Sequence, residues 1–367
     1  MSATGHPQPP LGLALEFSVA ERSAIVHREE VSRADLGDLF AEIVWAMHTT
    51  HGRRCNHLFT LAVRSGGLAA CGTLVVIATA GRLRQEFEFE IEALAPVVAR
   101  GMQRVRASEP HDTGPEVRCR IVLASGRERV DAEGLLASGP PELRVVDTTR
   151  TKAVREALAA CRAAEQESAA MPVLFRAGAR EFAERCSRAG QDLPEPVETG
   201  GLLLGHLLRC PSEGVFLLIE DVLPAADAAA TKYSLEYSPA TWQRIGAVLR
   251  ARRALSPSLR PIGQAHGHNF RPEGPPCAEC ARRAACTTST AFLSASDRQW
   301  CRAVFPQSPF QVGLVFGWNA RGERDAAFYG WHRGSLRLRG YEVIPDEDAA
   351  ELLGARPTTT QQRTTSP

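Results

Sequence analysis

The sequence predicts an α/β protein of two domains, and three observations carry that reading. At 367 residues the chain exceeds one typical domain, and length alone points to about two. Short β-like runs with strand periodicity are interleaved along its whole length with stretches of helical periodicity. Between them, residues 151–170 are rich in Ala, Glu and Arg and read as a helix connecting two separate domains.

Within 1–150 the strand-like runs are Leu11 to Val19, Leu58 to Val63, Thr73 to Ala78 and Val117 to Ala124, and the helix-like stretches are Asp35 to His48 and Ile91 to Arg106. This is an α/β domain that carries no motif. His48, His51, Cys55 and His57 cluster there, but Arg53 and Arg54 lie among them and the segment reads as an ordinary loop. The second domain, 171–355, opens with Pro172 to Gly190 as an amphipathic helix, with Leu174, Ala177, Phe182 and Cys186 near helical spacing. A glycine-rich entry, Glu198 to Gly205, leads into a strongly apolar strand, and Val215 to Val222 is the next. Ser238 to Arg252 reads as a helix with Trp242, Ile245, Val248 and Leu249 on one side. Arg260 to His268 then reads as a strand, Ser294 to Arg302 as a helix and Gln311 to Trp318 as a strand. The tail 356–367, rich in Thr and Gln, reads as disordered.

Lys plus Arg number 43 and Asp plus Glu 42, so no bulk field draws the chain to nucleic acid or an anionic membrane. The first ten residues lack the basic and apolar regions of a signal peptide, and no apolar run approaches the ~20 residues that span a bilayer. The chain therefore reads as cytoplasmic. Ten cysteines in such a protein point to buried thiols and metal ligands rather than disulfides. Only Lys152 and Lys232 are lysines; with abundant Ala, Gly, Arg and Pro, this suggests a GC-rich bacterial genome.

Chemistry concentrates between Glu198 and Asp297. His266 and His268, one residue apart on a strand, point to the same face and can grip one metal ion. Downstream, Thr290-Ala291-Phe292-Leu293-Ser294-Ala295-Ser296-Asp297 supplies a carboxylate on a helix, and upstream Glu198 supplies a base. In this order the motifs resemble those of the JAMM (MPN-plus) metalloproteases, a Glu, then H-[ST]-H, then S-x-x-D. The likeness runs from Met171 to about Pro345 and is nearest to endosomal ubiquitin-specific members, which share T-A-F-L-S. It implies a cytidine-deaminase-like α/β domain, a mixed sheet flanked by helices.

The resemblance implies a catalytic Zn2+ on His266, His268 and Asp297, with an open position for water. It makes Glu198 the general base and later acid, and Ser294 a hydrogen-bond donor to the oxyanion. It further implies hydrolysis after the C-terminus of a ubiquitin-like protein, with activating and conjugating enzymes as partners in the same pathway. Residues 1–150 show neither the His-Pro-Asn signature of a conjugating enzyme nor a catalytic Cys context. By themselves Ser294 and Asp297 are also a helix capping box. Two other readings share these residues: an MPN scaffold without catalysis, and a hydrolase acting on a sulfur-carrier protein conjugate.

The chain departs from the pattern in having Gly267 between the histidines, Asn269 after them, and residues 269–293 where the family has about seven. The Cys-rich part of that insert, 269–289, holds Cys277, Cys280 and Cys286, and a second, structural zinc is expected on them with Cys301 as fourth ligand. An iron–sulfur cluster fits the same thiols less economically. Pro276-Cys277-Ala278-Glu279-Cys280 matches the P-C-x-x-C of nucleobase deaminases, but their H-x-E is absent, since His268 stands where the Glu would be.

Overall fold

The structure is a computed structural model that describes residues 12–19, 25–51, 58–64, 73–80, 82–108, 117–123, 128–131, 143–164, 171–191, 193–270, 286–305, 310–332 and 334–354. The chain is α/β, as the sequence predicts, and divides into two compact units. One is Met1–Pro140 with Pro306–Pro309 and Trp331–Ser335; the other is Pro141–Phe305, Phe310–Gly330 and Leu336–Pro367. No helix among the described residues is long and apolar enough to cross a membrane.

The first unit contains β1 (Leu13–Val19), β2 (Ile25–Glu30), α1 (Gly37–His51), β3 (Leu58–Arg64), β4 (Thr73–Ala80), β5 (Leu83–Phe89), α2 (Ala95–Ser108), β6 (Val117–Leu123) and β7 (Glu128–Asp131). They form a three-stranded sheet, β2-β1-β6, and a four-stranded one, β5-β4-β3-β7, every pair antiparallel. Alternation does the work on β1: Leu13, Leu15 and Phe17 lie on one face and enter a core with Phe40 and Ile43 of α1 and Val97 of α2. Gly101 of α2 faces the Phe17 ring, which leaves no room for a Cβ there. Strands β2 and β5, which the sequence did not announce, expose Arg28 and Glu30 and Arg84, Glu86 and Glu88, together with the apolar Ile25 and Leu83.

The second unit holds β8 (Arg144–Val145), α3 (Lys152–Ala164), β9 (Val173–Arg176), α4 (Ala177–Arg188), β10 (Thr199–Cys210), β11 (Gly214–Pro224), β12 (Ala229–Thr231), β13 (Ser234–Glu236), α5 (Pro239–Leu255), β14 (Arg260–Gly267), α6 (Ala295–Val304), β15 (Val312–Trp318), β16 (Arg324–His332), β17 (Ser335–Leu338), β18 (Glu342–Ile344) and α7 (Asp346–Leu352). One mixed sheet runs β17-β16-β15-β14-β10-β11-β9-β18, and β8 pairs with β10 beyond the end of β14. β14 runs antiparallel to β10 and parallel to β15. β10 is central and buried almost throughout, which explains why its sequence is a near-continuous Leu run rather than an alternating one. Leu202 and Leu204 join Ile245 of α5 in one cluster, with Trp242, Val248, Leu249 and, from α6, Trp300 and Val304 packed against it.

Three expectations change here. The helix expected over Pro172 to Gly190 starts only at Ala177, because Val173 to Phe175 are claimed by a parallel ladder with β11. Its buried stripe is Ala179, Ala183 and Ser187 rather than Phe182 and Cys186, small residues that let the helix lie close to the sheet. The helix expected as a connector, α3, is instead part of the second unit: Val154, Leu158 and Cys161 share a core with Leu174, Leu208 and Ile344. The loop around Cys55 and His57 and the tail from 356 lie outside the described residues.

Candidate metal centre

Three elements deliver the four side chains. β14 carries His266 and ends at Gly267; His268 follows, its backbone N–H donating to Phe316 of β15 at 2.8 Å. Glu198 immediately precedes β10, whose register sets Gly200 opposite His266 and Thr199 opposite Gly267. Glu198 is fixed from behind, its backbone N–H donating to the Thr231 carbonyl of β12 at 2.7 Å. Asp297 is the third residue of α6, capped by Ser294.

Glycines make this convergence possible. A Cβ at Gly200 would come within 3.0 Å of the His266 backbone, so only glycine lets β10 approach β14 there. At Gly267 a Cβ would collide with the Ser187 carbonyl oxygen at the end of α4. The small residue between the histidines is thus dictated by helix packing. Asn269, another departure from the JAMM pattern, is buried and donates through Nδ2 to the Val197 carbonyl oxygen, next to Glu198.

The ligand atoms face one another. His266 Nε2 and His268 Nε2 are 3.2 Å apart, and the Asp297 carboxylate oxygens stand 3.4 Å from the first and 3.6 Å from the second. Among the described residues these three form the single His/Cys/Asp/Glu group able to hold a metal, with all ligand atoms within 4.8 Å. Two nitrogens bound at ~2.0–2.1 Å to one tetrahedral zinc lie roughly 3.3 Å apart, so the observed pair fits that ion closely. The His268 Nδ1–H donates to the Thr290 carbonyl at 2.7 Å, which leaves the Nε2 lone pair aimed at the shared point. His266 Nδ1 is buried with no hydrogen-bond partner among the described residues, so nothing on its far side competes for the ring. Two imidazoles and one carboxylate are a zinc-type donor set, and the residues fit that metal.

The electrostatics follow from crowding. Burial pushes the Glu198 carboxyl above its ordinary value, the nearby imidazoles pull it back, and the Asp297 charge adds to the rise. Burial would likewise raise Asp297, but the adjacent imidazoles of His266 and His268 and the hydrogen bond from Ser294 hold it far below the carboxylate range. For His268 burial acts downward and is outweighed by Asp297 and Glu198, so the ring sits above its ordinary value. Glu198 is 3% exposed and its Oε1 lies 3.8 Å from His268 Nε2, outside the ligand group yet beside it.

Ser294 is spent on the helix. Its Oγ accepts from the Asp297 backbone N–H at 3.1 Å and donates to Asp297 Oδ2 at 2.7 Å, while Asp297 Oδ2 accepts from the Ser294 N–H at 2.8 Å. The capping box is therefore formed, and its hydroxyl proton also steadies the ligand carboxylate. Of the cysteines expected to bind a second zinc, Cys286 is exposed and donates to Thr288, whereas Cys301 is fully buried on α6 with Gln264 Nε2 donating to its sulfur at 3.6 Å. Cys277 and Cys280 lie outside the described residues.

Sequence reasoning did not find the Thr290 carbonyl, the Thr231 anchor of Glu198, or the aromatic packing of His268. Phe270 stacks on that ring at 5.5 Å, and Phe292 meets it edge-on at 5.1 Å. Strand alternation pairs the two ligand histidines, but which carbonyl orients a ring depends on a loop held against β15, for which the sequence has no signal.

No protein-family model matches the chain, and no curated protein is similar to it. Among solved structures, a protein from Desulfitobacterium hafniense is 15% identical over 47% of this chain and 92% of its own, with a TM-score of 0.27. One from Salinibacter ruber is 12% identical over the same shares, 47% and 92%, with a TM-score of 0.21. Likenesses this slight carry no argument about fold or activity.

Proposed function

We propose that the chain is a zinc-dependent isopeptidase of the JAMM kind, hydrolysing the amide bond that follows the C-terminus of a ubiquitin-like protein in a conjugate or precursor. The observation that carries the reading is the convergence of His266 Nε2, His268 Nε2 and the Asp297 carboxylate, with Glu198 buried beside them. Those three residues would hold the metal. Bound zinc supplies Lewis acidity and makes water a competent nucleophile near neutral pH.

The rest falls to the chain's own groups. Glu198 takes a proton from the attacking water as the new C–O bond forms, then returns it to the nitrogen as the C–N bond breaks, so one carboxyl serves as base and acid. Its burial suits this exchange, since desolvation moves a carboxyl toward the pH at which it works. An oxyanion role for Ser294 requires its hydroxyl to release Asp297 Oδ2.

The test uses the full chain, a set of ubiquitin-like proteins carrying peptide or isopeptide extensions, and the Glu198→Gln variant. Wild type should contain zinc and cleave at least one substrate after the C-terminal residue of its ubiquitin-like part. Glu198→Gln should keep the zinc and lose about 10²–10⁴ in kcat. A zinc-free wild type, or a Glu198→Gln protein of full activity, defeats the proposal; zinc without cleavage of any carrier leaves a scaffold.

A further inference from the structure

We infer that Cys301, with Gln264, is a positioning clamp that locks the helix bearing Asp297 to the strand bearing the two histidines, and so sets the affinity of the three-residue site. The inference rests on the proposed zinc site, though not on its being an isopeptidase. Alternation puts Gln264, His266 and His268 on one face. On α6, Asp297 and Cys301 are four residues apart and share a face. The two faces meet in two rungs: Asp297 reaches the imidazoles, and one helical turn on Cys301 receives the Gln264 amide at 3.6 Å. Gln311, which directly precedes β15, is fully buried as well.

The need for a clamp comes from the connection. His268 and Ser294 are separated by residues 269–293, so nearness in sequence does not set Asp297 beside the histidines. Non-covalent contacts must hold α6 in place instead. Some come from the segment before the helix, where Thr290 N–H donates to Trp318 at 2.9 Å and Ser289 bridges Asn319. The Cys301 rung acts on α6 itself, one turn behind Asp297. A protonated, fully buried thiol that accepts from a carboxamide suits that position. Burial, seconded by the Asp297 charge, pushes it up to about 12, so it stays neutral. It is poorly placed to be a metal ligand for the exposed Cys286 segment or a reactive nucleophile.

The experiment measures zinc affinity of the metal-stripped full chain by competition with a chromophoric chelator, beside the thermal midpoint of the metal-free protein. His268→Ala is the control: if it binds zinc like wild type, the proposed metal site fails, whatever Cys301 does. With the control in order, Cys301→Ala should weaken zinc binding about tenfold to a hundredfold, the usual effect of losing a supporting partner, and Cys301→Ser should restore most of it. Gln264→Met, which attacks the rung from the strand, should weaken binding likewise, and it decides the matter if Cys301→Ala does not fold. Wild-type affinity in the folded variants, with only the midpoint lowered, overturns the clamp. So does Cys301→Ser binding as weakly as Cys301→Ala, or loss of a second zinc equivalent with the first unchanged.

Discussion

His206 on β10 and His266 on β14 belong to adjacent strands of one sheet and are equally hidden from solvent, yet their ring nitrogens keep different company. His206 is satisfied on both sides, with Ser258 Oγ at 2.8 Å from Nδ1 and Glu220 Oε2 at 2.6 Å from Nε2. His266 has no partner on Nδ1 among the described residues, and its Nε2 looks at another imidazole and a carboxylate. Burial alone therefore does not mark a ligand. A histidine whose two nitrogens both have protein partners has nothing left for an ion, whereas a pair whose Nε2 atoms share one point with a carboxylate does.

Crossing the two sites gives the largest contrast. His268→Ala should remove the zinc outright while leaving a folded protein, because the ring it deletes is one of the three proposed ligands. His206→Leu should keep full zinc content yet cost about 1–3 kcal/mol, the usual penalty for stripping a buried polar group of its partner. Zinc content by elemental analysis and unfolding in urea separate the outcomes. Zinc lost from His206→Leu and kept by His268→Ala would reverse the assignment.

Next in size is Gly267→Ser, which installs the residue the JAMM pattern favours. Its Cβ would meet the Ser187 carbonyl, so either α4 or β14 must move. Overpacking of this kind costs about 1–3 kcal/mol, and here the displaced strand carries a ligand, so zinc affinity should fall with the thermal midpoint. A protein unchanged in both would mean that α4 yields freely.

These sites also mark how far the sequence could be read. The convergence of the candidate ligands was legible because strand alternation and the cap of a helix are local rules: two residues apart, His266 and His268 must share a face, and Ser294 with Asp297 must start a helix. The apolar run of β10 and the Trp242, Ile245, Val248 and Leu249 stripe of α5 were legible for the same reason. What was hidden depends on distant partners. Val173 to Phe175 have helical spacing and become a strand because β11 and β18 flank them. Phe328 and Tyr329 lie on β16, a strand the sequence did not announce and which exists by pairing with β15. His206 sits in an unremarkable Leu run, and nothing local foretells Ser258 beside it.

Ser294 allows a finer contrast, between holding a ligand and touching the reaction. As the helix cap alone, Ser294→Ala should cost about 1 kcal/mol of stability and leave kcat close to wild type. As an oxyanion donor it should lower kcat about a hundredfold with little change in KM. The formed capping box favours the first outcome. Steady-state kinetics beside thermal unfolding decides between them.

The smallest effect concerns acid, and it belongs to the satisfied histidine's partner. Glu220 is held below its ordinary value near 4.5, first by the hydrogen bond from His206 against the opposing pull of burial, then by the charges of His206, Arg176 and Arg144. A carboxyl whose folded value is depressed contributes stability that is complete above its unfolded value and drains away as pH falls through the folded one. Wild type should therefore lose stability below about pH 4.5 more steeply than Glu220→Gln, which has no charge to lose there. Above that pH the two curves should run parallel, with wild type the more stable. Urea midpoints taken from pH 6 to pH 3 would show the divergence. Parallel curves throughout would mean that Glu220 contributes no charge to the pair, and that His206 is held by neutral hydrogen bonds alone.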